Sequence, residues 1–192
     1  MRPRSLIVIA IGLAIAALAV LLSFRPAYEP DLWYHLVQGR ETAAGNFTLL
    51  QTNLFSATHA GYRQTYTSWL FDLSMFGAWK LGGATGVQVV QALLIALALA
   101  MTYRAARLRA PASAAFAVIL LGVFAIEARA VPRPHLVSFA GVAAMVWLIE
   151  RARLIGRAAP LFWTVPVVAL WSNLHVECLL GVALAGLFAL AE

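Results

Sequence analysis

The side chains able to do chemistry gather in three short stretches. In Glu29-Pro-Asp31-Leu-Trp-Tyr-His35, Asp31 and His35 stand one helical turn apart. That spacing suits a carboxylate base and its orienting imidazole or, with Glu29, ligands of a divalent cation. The plainer alternative is the solvated face of a surface helix. In Glu127-Ala-Arg129-Ala-Val-Pro132-Arg133-Pro134-His135, two arginines sit beside backbone made rigid by proline. A guanidinium donates two parallel hydrogen bonds to a phosphate, so Arg133 and Arg129 are phosphate candidates. Arginines reaching for lipid headgroups, with Glu127 as ion-pair partner, are the competing reading. Trp171-Ser-Asn173-Leu-His175-Val-Glu177 interrupts an apolar run. Polar groups at that depth are costly and usually face a cavity or a partner, although a plain loop between two short helices also fits.

Composition decides what must position these groups. Hydrophobic residues make up 62% of the 192 positions and charged residues 11%, against about 45–50% and 25% in soluble domains. The chain is therefore read as an integral membrane protein with the lipid bilayer as its surroundings. The formal charge of +6 falls mostly in short arginine clusters between apolar runs, which points to membrane orientation and not to nucleic acid. Cys178 is the only cysteine, so no intrachain disulfide forms.

Leu6 to Phe24 carries no charge; at about 1.5 Å per residue it crosses a hydrocarbon core of about 30 Å. Its apolar run exceeds that of a cleaved signal peptide. Residues 25–84 form a long first loop, within which Pro30, Asp31 and Gly45 mark the start and stop of a short helix over 31–44. Leu32, Trp33, Leu36 and Val37 share one face and Asp31, His35 and Gln38 another, which predicts an interfacial helix with its apolar side on the membrane. Residues 46–66 read as irregular loop, and the Asn46-Phe47-Thr48 sequon is too short to weigh. Residues 69–81, ending in Gly82-Gly83, read as a second interfacial or partly inserted helix. Further spans are expected near 85–103, 112–127, 135–149 and 160–190.

The expected fold is all-α and polytopic, a single transmembrane domain over 1–192 with about five or six membrane segments. Arg2 and Arg4, the 104–109 cluster and the 151–157 cluster fall on one side, cytoplasmic by the positive-inside rule. The amino terminus is then inside. The long loop, the Glu127–His135 connection and the Asn173–Glu177 break face outward.

Taken together, Asp31-Leu-Trp-Tyr-His35-Leu, Phe55-Ser56, Trp69-Leu70, Arg133-Pro-His135 and Trp171-Ser-Asn-Leu-His175 resemble, in order and spacing, bacterial members of the C-type (GT-C) membrane glycosyltransferase superfamily. That resemblance covers nearly the whole chain. It implies a polyprenyl-phosphate-linked sugar donor, an active site at the outer face of a bacterial-type inner membrane, and an essential acidic residue in the first outer loop, here Asp31. It further implies Glu127 as a second acidic candidate and, in some members, a divalent metal ion. Arg133 and Arg129 would then bind the donor phosphate, with His35, His135, Asn173 and His175 lining the substrate site. It also implies that 1–192 is the amino-terminal part of a longer protein. Two other readings stand beside it: a transporter-like protein whose broken segment lines a path, and a non-catalytic scaffold of the same architecture.

Overall fold

The computed structural model describes residues 3–24, 29–46, 50–52, 58 and 63–191. Phe55-Ser56 and part of the sequon fall outside these residues. Helix α1 covers Pro3–Ser23. One stripe of it, Ile15, Ala19 and Leu22, is buried against Ile95, Leu99 and Ile119. Leu6, Val8, Leu13 and Leu21 stay exposed, as suits a surface covered by lipid.

Helix α2 is Pro30–Ala43. Glu29 caps it by accepting from the Asp31 backbone N–H, and Pro30 occupies its first turn. Its end is set by Gly45, whose φ of 83° lets the chain turn out of the helix. The buried stripe of α2 is His35, Leu36, Gln38 and Gly39. This corrects the expected face: Trp33 is exposed, while the histidine and glutamine expected in solvent point into the protein. Its cause is helix α3, Trp69–Ala106, which lies against α2. Gly39 permits the crossing, because a β-carbon there would stand 2.1 Å from the Asp72 carbonyl oxygen.

Between α2 and α3, strands β1 (Leu50–Thr52) and β2 (Arg63–Thr65) pair antiparallel, with Gln51 opposite Gln64. The stretch expected to be irregular thus contains a short ribbon. Helix α3 is interrupted at Gly82 and Gly83, the latter at φ 56° and ψ −140°, a conformation open mainly to glycine. The chain reverses there, since a β-carbon on Gly86 would touch the Ala78 carbonyl at 2.1 Å. Residues 69–81 are therefore a separate helical arm that ends at Gly82-Gly83, where the sequence places its stop, and turns back on the next arm.

Helix α4 (Ala112–Ile126) and helix α5 (His135–Ile155) are joined by a 3-10 turn, Glu127–Arg129, and the proline-flanked Arg133. After a second 3-10 turn, Ala159–Trp163, come α6 (Thr164–Ser172) and α7 (Cys178–Ala191). They fold back on each other around Trp171, which lies over Gly141 of α5 and Gly181 of α7. At Gly141 a β-carbon would sit 2.6 Å from the indole ring. The long apolar run 160–190 is thus two short helices meeting at the expected break.

Four helical stretches are long and apolar enough to cross a membrane: Leu6–Ser23, Trp69–Ala106, Ala112–Arg129 and His135–Ile155. With α6 and α7 as shorter apolar helices, this is a polytopic helical membrane protein.

Candidate functional site

Arg133 is the centre of the site. Pro132 and Pro134 are both buried, and together they fix the backbone that presents it. Its Nη2 lies 2.7 Å from Glu29 Oε1 and 2.8 Å from Asp31 Oδ2, so the connection before α5 is tied to the start of α2. The hydrogen bond to Glu29, then the negative charge of both carboxylates, holds the guanidinium protonated against the cost of burial. Glu29 is 7% exposed at its side chain and Asp31 53%. Asp31 is therefore the partner that can leave. Among the described residues, Arg133 Nε is buried with no hydrogen-bond partner. Such a donor is costly unless an oxygen atom reaches it.

This geometry brings together Asp31 and Arg133, which the sequence singled out separately. A second carboxylate joins them. The partner of Arg133 beside Asp31 is Glu29, whereas Glu127 sits exposed in its 3-10 turn. Arg129 is likewise exposed, and its carbonyl accepts a 2.7 Å hydrogen bond from His135 Nε2. That bond puts the proton on Nε2 and leaves Nδ1 of His135 as the acceptor.

His35 does not join Asp31. It turns inward, and Nδ1–H donates to Asp72 Oδ1 at 2.7 Å. Asp72 is 0% exposed, and its other oxygen accepts from the Tyr66 hydroxyl. Burial first, then the Asp72 charge, pushes the Tyr66 hydroxyl well above the usual tyrosine range, so it stays a donor. Asp72 was visible in the sequence as a lone carboxylate near the start of an apolar helix, but nothing there paired it with His35. With His35 so engaged, Glu29, Asp31 and His35 do not form the cation site their spacing allowed. Among the described residues no group of three or more His, Cys, Asp or Glu is arranged to hold a metal ion.

The break between α6 and α7 forms the neighbouring wall. Asn173 is bonded to the protein at three points: its Oδ1 accepts from Trp69 Nε1 at 2.9 Å, its Nδ2 donates to the Ala169 carbonyl, and its own carbonyl accepts the Leu70 N–H. It fastens the break to the start of α3. His175 Nδ1 lies 2.7 Å from Ser138 Oγ and 3.2 Å from Glu177 Oε2. Both contacts fall on one ring nitrogen, so this is not the relay of a nucleophilic serine, which needs the two nitrogens on opposite sides. Trp171 Nε1–H donates to the same Ser138 oxygen. Burial lowers the His175 pKa. Glu177 opposes that shift, while the nearby His135 and His35 add to it.

From Ile126, Ser138 and Glu177 an apolar groove of about 620 Å³ runs along the bundle to Thr102 and Ala105. Apart from those few polar groups it is lined by small and branched hydrophobic residues and by Phe139. It can take an alkyl or isoprenoid chain with a polar group at the Glu177 end.

No family model matches the chain, and neither do any curated proteins or solved structures.

Proposed function

We propose that this protein transfers a sugar from a polyprenyl-phosphate donor to an acceptor hydroxyl, as its resemblance to GT-C glycosyltransferases implies. The meeting of Asp31 and Arg133 within 2.8 Å is the observation that supports this most. The donor phosphate takes the Nη2–H of Arg133 that the exposed Asp31 releases. Asp31, the exposed partner, is then free to accept the proton of the acceptor hydroxyl. That oxygen attacks the anomeric carbon, the carbon–phosphate oxygen bond breaks, and polyprenyl phosphate leaves with the electron pair and with inverted stereochemistry at the sugar. Arg133 stabilises the charge that develops on the departing phosphate. The apolar groove below Glu177 receives the prenyl chain.

The arginine clusters at the other end of the bundle support a multi-pass placement in a bacterial-type inner membrane, amino terminus inside and Arg133 at the outer face. One observation favours a non-catalytic scaffold instead. Glu29 and Asp31 already compensate Arg133, and a strap between two connections needs no ligand. Donor binding separates the two readings. Arg133→Ala is expected to weaken binding of a polyprenyl-phosphate sugar at least tenfold, against little change for Arg107→Ala at the opposite end. Equal effects would favour the scaffold.

A further inference from the structure

Among the described residues, the end of the bundle opposite Arg133 gathers six arginines and one carboxylate, Glu150. Arg104, Arg107, Arg109, Arg151, Arg153 and Arg157 lie in or just beyond the last turns of α3 and α5. Glu150 serves Arg109 at 2.7 Å and Arg153 at 3.6 Å. Arg104 and Arg151 instead stack on Trp147, with guanidinium carbons 4.5 and 5.3 Å from its ring centroid. Cations at helix C-termini are favourable in themselves. That explains the sign of the charge, but not the cavity beside it.

The cavity is a groove of about 550 Å³ between α3, α5 and α6, within the roughly 300–1,000 Å³ of small-ligand sites. Met101, Leu148 and Val167 line its apolar length, and Arg151 and Arg157 stand at its rim. Gly156, at φ 62°, turns the chain so that the Arg157 N–H bonds back to the Ala152 carbonyl. Arg157 thereby follows directly on the end of α5, beside Ala159 and Pro160, which also line the groove. Trp163 lines it too and is 67% exposed, an amphipathic ring of the kind that favours a membrane–water interface. The combination is an apolar slot with two arginines among its lining residues.

We infer that this groove holds one anionic diacyl phospholipid, its phosphate on Arg151 and Arg157 and an acyl chain along Met101, Leu148 and Val167. The charge selects an anionic headgroup over a zwitterionic one, and the groove selects a chain-bearing molecule over a free phosphate.

Delipidated protein in detergent, titrated with phosphatidylglycerol and followed by native mass spectrometry, tests this. Saturable binding of one phosphatidylglycerol per chain is expected, with phosphatidylcholine of the same chains at least tenfold weaker. Arg151→Gln and Arg157→Gln should each weaken binding about fivefold. Arg107→Gln, which removes the same charge off the groove, should change it less than twofold. Glycerol phosphate should not compete at the lipid's concentration. The inference is overturned if both lipids bind alike, if Arg107→Gln costs as much as Arg151→Gln, if glycerol phosphate competes fully, or if a second copy of the chain excludes the lipid.

Discussion

Arg133 and Asp31 form a 2.8 Å ion pair between the connection that precedes α5 and the first turn of α2. Glu29 shares the same guanidinium nitrogen at 2.7 Å and is much the more buried carboxylate. Stability should divide accordingly. Asp31→Asn is expected to cost roughly 0–1 kcal/mol, as exposed pairs do. Arg133→Ala strands a buried carboxylate and should cost about 1–3 kcal/mol. Unfolding in mixed micelles reads the difference, and equal losses would contradict this division.

Asp72 and Gly39 make a second, independent pair of predictions. Asp72→Ala removes the acceptor of both His35 and Tyr66 and is expected to cost about 1–3 kcal/mol for each donor left unpaired. Hydrogen exchange over α2 should rise with it. Gly39→Ala drives a methyl group into the Asp72 carbonyl and should cost about 1–3 kcal/mol or more. Gly77→Ala, with open space around it, should be neutral or stabilising. Similar effects at Gly39 and Gly77 would show that α2 does not cross α3 so closely.

His175 gives a pH dependence whose sign follows from its lowered pKa. The unfolded chain takes up a proton near the ordinary histidine value of about 6.5 while the folded chain does not. The contribution of His175 to stability is therefore fully present above that value and is lost as the pH falls toward the folded pKa. His175→Gln should flatten this acid-side slope in an unfolding series between about pH 7 and 5. An unchanged slope would place its origin elsewhere.

What could be read in the sequence was whatever rests on local pattern. The uncharged length of 6–24, the Pro30 start and Gly45 stop of α2, the Gly82-Gly83 interruption and the Asn173–Glu177 break all appear where composition and backbone chemistry put them. Burial across elements was not legible. Helical spacing puts His35 and Gln38 on one face of α2 but does not say whether water or α3 lies against it. That depends on Gly39 meeting Asp72, two residues linked only through the folded chain. In the same way Arg133 was visible as a rigidly held cation, yet its choice of Glu29 over the sequence neighbour Glu127 arises from how the start of α2 docks. Asn173 stood out as polar in an apolar run, and its hydrogen bonds turn out to join helices.

Sugar transfer by the purified protein in proteoliposomes, with a labelled polyprenyl-phosphate sugar and a mixed acceptor pool, reads the chemistry of Asp31 and Arg133 itself. Wild-type protein should release polyprenyl phosphate as label moves to an acceptor. Asp31→Asn, folded to within about 1 kcal/mol of wild type, should be slower by about 10²–10⁴-fold, the range of a lost general base. Wild-type turnover left unchanged by Asp31→Asn, or no turnover by the wild type with donor bound, would contradict the assignment of Asp31 as the base beside Arg133.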